Sequence, residues 1–138
     1  MEEVQAERVP IQVSQGCLVA SVQVDLTEVN VRQLRSDLLA RIQVARPRGV
    51  ILDLSAIAVM DIVDWNNLRR TLDMVDIMGS RPVICGLRPG VVAALSDMDA
   101  HVSGLEAVFD LDAAFELLNR DVEDKDPNDL EQVYRDEE

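Results

Sequence analysis

Apolar residues along this chain recur at two alternating spacings, and that alternation predicts the architecture. Ile11 and Val13, then the run Cys17-Leu-Val-Ala-Ser-Val-Gln-Val24, are rich in β-branched residues, and Ser14-Gln15-Gly16 between them puts a glycine in the turn. An antiparallel hairpin is expected to open the chain. Thr27 suits a helix N-cap, and Val31, Leu34, Leu38 and Ile42 step by three and four until Pro47 and Gly49 stop the pattern. Gly49-Val-Ile-Leu-Asp-Leu54 is nearly all apolar, as expected of a strand covered on both faces. A second helix is predicted over residues 62–78, with Trp65, Leu68, Leu72, Val75 and Met78 on one stripe and Gly79 as its stop. Pro82-Val-Ile-Cys-Gly86 reads as another buried strand. Leu87-Arg88-Pro89-Gly90 turns the chain, with Pro89 suited to a first helical position before Val91-Val-Ala-Ala-Leu95. A small strand over 107–109 and a helix opened by Asp112 and carrying Phe115, Leu117 and Leu118 complete the order ββαβαβαβα.

An opening hairpin followed by alternating strands and helices predicts an α/β fold built on a mixed, mostly parallel sheet with right-handed crossovers. Loops at the carboxyl ends of the strands are the expected place for function.

Composition narrows the possible partners. The 138 residues fit one domain, taken as 1–120, with an acidic segment 121–138 that holds nine acids and two bases and is expected to be frayed or a weakly held helix around Leu130, Val133 and Tyr134. Hydrophobic residues make up 48% but aromatics only 3%, so the core must be aliphatic and a base-stacking platform is excluded. Against 13 bases stand 26 acids, a net −13 that repels phosphate backbones and anionic lipid, so protein partners are expected and neither nucleic acid nor a membrane surface is. Cys17 and Cys85 sit inside apolar runs and read as small hydrophobes. His101 is the one histidine, which leaves no histidine-based zinc set and no company for acid–base chemistry; no enzyme activity, metal or cofactor is expected. The charged start Met-Glu-Glu-Val-Gln-Ala-Glu-Arg and the lack of a long apolar run read as cytoplasmic.

The stretch Asp53-Leu-Ser55-Ala-Ile57-Ala-Val59-Met60-Asp61-Ile62-Val63-Asp64 joins the central strand to the second helix. It resembles the strand-loop-helix of STAS domains, the anti-sigma-factor antagonist family, with its approximate pattern Asp-x-Ser/Thr-x-Val/Ile-x-x-x-Asp-Ser/Thr. The likeness extends over about residues 8–119. Val9-Pro10-Ile11, Gly16-Cys17-Leu18-Val19 and Val83-Ile84-Cys85-Gly86-Leu87-Arg88-Pro89 are similar to the subgroup that builds stressosome scaffolds and their small single-domain antagonists. The resemblance implies a STAS-like sheet and a non-catalytic signalling protein. It also implies partner switching with a serine/threonine kinase or with other STAS proteins, in homo- or hetero-oligomers. The position matching the phosphorylated Ser or Thr of that family is Ile62, and the position matching a further phosphorylatable Thr of some scaffold proteins is Ala94. Neither side chain has an oxygen to accept a phosphoryl group. Either phospho-control is lost here or Ile62 is a substitution.

The expected docking surface comprises Met60, Asp61, Ile62, Val63, Asp64 and Trp65 with Arg88 alongside. Asp61 reads as an N-cap, a partner contact or both, and Trp65 as core or interface anchor. Ser55 is read as bonding the turn backbone rather than as a nucleophile, and Arg69 and Arg70 as a solvated face. An alternative reading makes Arg88 and Gly90, before a helix start, the capture point of a small anion or nucleotide in a sensing module.

Overall fold

The computed structural model describes residues 5–123. Ile11–Ser14 (β1) and Cys17–Ser21 (β2) pair antiparallel around Gln15 and Gly16. Those two residues have φ angles of 53° and 75°, the left-handed pair that a two-residue hairpin loop needs to match strand twist. The chain then alternates through Glu28–Ala45 (α1), Gly49–Asp53 (β3), Ile62–Ile77 (α2), Arg81–Cys85 (β4), Pro89–Asp97 (α3), Ala107–Val108 (β5) and Leu111–Glu123 (α4). The sheet order is β1-β2-β3-β4-β5, antiparallel at the first junction and parallel at the others. This is the α/β mixed sheet and the element order that the periodicity predicts.

Each parallel crossover advances one strand in the same direction, which puts α1, α2 and α3 on one face of the sheet. Leu18, Ala20, Val50, Leu52 and Ile84 point to that face and pack with Leu34, Leu38, Trp65, Leu68 and Val91. Cys17, Val19, Ile51, Val83 and Cys85 point the other way and pack with Ala114, Phe115 and Leu118 of α4. Alternate residues of the same strands serve two cores, so these strands are apolar throughout.

The structure moves several expected boundaries. β2 ends at Ser21 rather than near Val24, and the Val22 amide carries the pairing one step further, to the Asp53 carbonyl at 3.0 Å. β5 is two residues long, and Phe109, expected inside it, follows it with 89% of its surface exposed. At the start of α4 the Asp110 carboxylate accepts from the Ala113 amide at 2.9 Å; Asp112, expected to open the helix, lies in its first turn. Residues 124–138, expected to be frayed or a weakly held helix around Leu130, Val133 and Tyr134, lie outside the described residues. No described helix is long and apolar enough to cross a membrane.

Candidate functional site

Strand ends converge at the carboxyl edge of the sheet, and the connection from β3 to α2 is fixed there bond by bond. The Leu54 amide donates to the Cys85 carbonyl at 2.9 Å, extending the pairing beyond β3. Asp53 then turns the chain, its carboxylate accepting from the Ser55 amide at 3.0 Å. The Ser55 carbonyl accepts from Arg88 Nε at 2.8 Å, so the turn after β4 holds the turn after β3. Gly86, at φ 75°, approaches so closely that a Cβ there would stand 2.9 Å from Ser55 Cβ and 3.0 Å from Asp53 Oδ1. Further along, Ile57 and Met60 drop into the core. Their burial turns Ala56, Ala58 and Val59 outward, and Val59 is 83% exposed.

The helix that follows starts on a reciprocal cap. The Asp64 amide donates to Asp61 Oδ1 at 2.8 Å and the Asp61 amide donates to Asp64 Oδ2 at 3.3 Å. Two amides that a helix start leaves orphaned are satisfied in this way. Burial pushes the Asp64 carboxyl above its usual value; its bond from the Asp61 amide draws it part of the way back, and the charges of Asp61 and Asp25 add to the rise. Ile62, the first helical residue, is half-buried against the α1–α3 core, while Val63 beside it is 62% exposed. A groove of about 490 Å³ runs between this segment and the connection from β2 to α1, with Val24, Asp25, Ala58, Val59 and Asp64 among its walls. The edge of the molecule thus presents apolar side chains set among carboxylates.

The residues expected to dock a partner are divided by the fold. Asp61, Val63 and Arg88 are exposed, and Ile62 and Asp64 are half-buried. Met60 and Trp65 do not reach the surface: they are 3% and 0% exposed. Trp65 belongs to the apolar stripe of α2, and its indole N–H donates to the His101 carbonyl at 3.0 Å, tying down the segment between α3 and β5. Ser55 takes part through its backbone, as acceptor and donor of the bonds above. Arg69, expected on a solvated face, is largely covered, with Nη2 donating to the Ser103 carbonyl and Nε 3.3 Å from Asp73 Oδ1. Ala94 is half-buried on α3. At the start of α3 the Arg88 guanidinium commits its Nε to Ser55, Pro89 has no N–H, and the Val91 and Val92 amides bond the Arg88 carbonyl, while Arg88 and Gly90 are both exposed. Val59 and the groove wall at Val24 and Asp25 were missed. The one signal for them was position: each follows the carboxyl end of a parallel strand.

The STAS domain family model matches residues 8–117. A comparison with curated protein sequences finds no match. Among solved structures, a variant of RsbS from Moorella thermoacetica superposes with a TM-score of 0.72 at 23% identity, over 83% of this chain and 97% of that one. A chain of the stressosome, a signal integration and transduction hub, gives 0.71 at 23% identity over 80% and 96%. The anti-sigma factor antagonist SpoIIAA in its unphosphorylated form gives 0.60 at 13% identity over 79% and 95%. Identities this low speak for the shared fold, and with the family match over most of its length the chain belongs to the STAS domain family.

Proposed function

We propose that this protein is a non-catalytic, cytoplasmic signalling module of the anti-sigma-factor antagonist type, which binds protein partners in a stressosome-like partner-switching system without a phosphoacceptor of its own. The partners are a serine/threonine kinase of the switch type or other STAS proteins, in a homo- or hetero-oligomer. The observation that carries the reading is Ile62: it occupies the first turn of α2, directly after the Asp61 cap, where the family resemblance puts the phosphorylated hydroxyl. A phosphoryl group there would bring close to −2 charge next to a helix start and an apolar patch, enough to change which partner is held. An aliphatic side chain packed against the core offers no oxygen for that transfer.

The contact surface in this reading is the outward side of the segment, Val59, Asp61 and Val63, with the Arg88 turn beside it. Met60, Ile62 and Trp65 support it from beneath. Burying an exposed valine is worth roughly 1.5 kcal/mol or more, so Val63→Asp is expected to weaken a complex at least tenfold. The test is calorimetric titration with a switch-type kinase of the source organism, with and without ATP. Binding that is equal in both conditions and lost in Val63→Asp supports the reading, whereas release on addition of ATP, or binding unaffected by Val63→Asp, contradicts it.

A further inference from the structure

The pole opposite the candidate site carries a second exposed apolar surface of the opposite charge. α1 and α2 both end there, and their last turns present Val44 and Ile77, which are 88% and 85% exposed. Between them lies a groove of about 670 Å³ whose walls include Ile42, Arg46, Pro47, Met78 and Gly79. In a chain of net charge −13, residues 38–49 hold three arginines, Arg41, Arg46 and Arg48, and no acid. All three are exposed, and none enters an ion pair among the described residues. Arg41 and Arg48 donate to neutral oxygens instead, of Ile11 and of Gln15 and Asn119.

α4 delivers the rest of the chain to this same pole. Leu118 packs so tightly over Gly49 that a Cβ at that glycine would lie 2.6 Å from Leu118 Cδ1, and Arg48 Nη2 donates to Asn119 Oδ1 at 2.7 Å. Beyond Glu123 the sequence continues for 15 residues with seven acids, two bases and Leu130, Val133 and Tyr134 at helical spacing. The seven peptide steps from Glu123 to Leu130 reach roughly 23 Å when extended, ample to pass from Arg48 round the edge to Pro47 and Arg46.

We infer that the chain's own acidic C-terminal segment covers this pole, with Leu130, Val133 and Tyr134 in the groove between the ends of α1 and α2 and its carboxylates facing Arg41, Arg46 and Arg48. The acids lie on the α1 side, because the end of α2 carries Asp73 and Asp76 and repels them. The apolar contacts make the docking specific, and the charges bring the segment to its site.

Backbone amide NMR of the full-length chain tests this from both sides. Replacing Leu130, Val133 and Tyr134 together by Asp is expected to shift the amides of residues 42–46 and 77–80, at least 50 positions away in sequence, and to leave residues 59–65 in place. Arg46→Glu is expected to shift the amides of residues 130–134 toward the positions they take at about 1 M salt, where the screening length falls to about 3 Å. Pole amides that ignore the triple substitution would overturn the inference. So would differences between wild type and variant that vanish on dilution, since that result assigns the groove to the segment of a second copy.

Discussion

Gly86→Ala is the substitution for which the structure makes the most definite demand. The residue holds φ 75°, where an L side chain costs about 1–2 kcal/mol, and a Cβ added there would stand 2.9 Å from Ser55 Cβ and 3.1 Å from the Ser55 amide nitrogen. Those atoms cannot yield freely, because the Ser55 amide is held by Asp53 and its carbonyl by Arg88. Moving them sacrifices at least one charge-assisted bond, worth about 1 kcal/mol once its exposure to water is allowed for. The total is about 2–3 kcal/mol, or a fall of about 10 °C in Tm for a domain of this size. Gly90→Ala is the control: it also lies beyond β4, yet nothing stands within 4 Å of a Cβ there, and it sits in the first turn of α3. Alanine at that position is expected to be neutral or to stabilise by up to about 1 kcal/mol. Thermal unfolding followed by circular dichroism separates the two, and amide shifts over residues 54–61 report whether the loop has moved. A Gly86→Ala protein that melts with Gly90→Ala and keeps wild-type shifts in that loop would refute the argument that this glycine sets the loop's position.

Other consequences follow from buried groups. Trp65 is the sole tryptophan and is fully buried, so the native fluorescence should be blue-shifted and resist acrylamide, and Trp65→Phe should cost about 1–3 kcal/mol while hydrogen exchange over residues 101–106 accelerates. Burial, with the charges of Asp53 and Asp110, pushes the Cys85 thiol from 9.0 up to about 12. The unfolded thiol ionises near 9.0 while the folded one keeps its proton, so this group's contribution to stability falls as pH rises from 9.0 toward about 12. In alkaline buffer a thiol reagent should label Cys85 only after denaturation, and labelling at the denatured rate in native protein would contradict its placement. Asp64, also raised, works in the same direction at acid pH: its penalty is absent below the unfolded value of 3.8 and appears as pH climbs through the folded one. Asp64→Asn should therefore gain on wild type across that rise in denaturant titrations, and a constant difference at all pH values would count against it.

Much of the fold could be read in advance because its signals are local or periodic. Thr27 and Asp61 each cap a helix through a residue three positions on, chemistry contained within one turn. The all-apolar run around Ile51 announced a strand covered on both faces, and two cores meet it there. The candidate site was harder because its sorting into buried and exposed residues is not periodic. Val59 and Met60 are adjacent apolar residues in one loop, and which of them turns inward depends on the turn held by Gly86 and Arg88, more than 25 positions further along the chain. Trp65 lay on a recognisable stripe, yet its complete burial depends on the segment around His101 folding over it. Phe109 looked like a strand residue, but β5 pairs with β4 through two residues only and leaves its ring outside.

The central claim concerns position 62, and a phosphorylation assay reaches it most directly. The wild-type protein and Ile62→Ser are incubated with a switch-type serine/threonine kinase and ATP, digested, and the peptides covering residues 55–65 are weighed by mass spectrometry. The account predicts no added phosphate on the wild-type peptide and one phosphate, at position 62, on the variant, because serine restores an oxygen beside the Asp61 cap. Phosphate on the wild-type peptide, at Ser55, would contradict it.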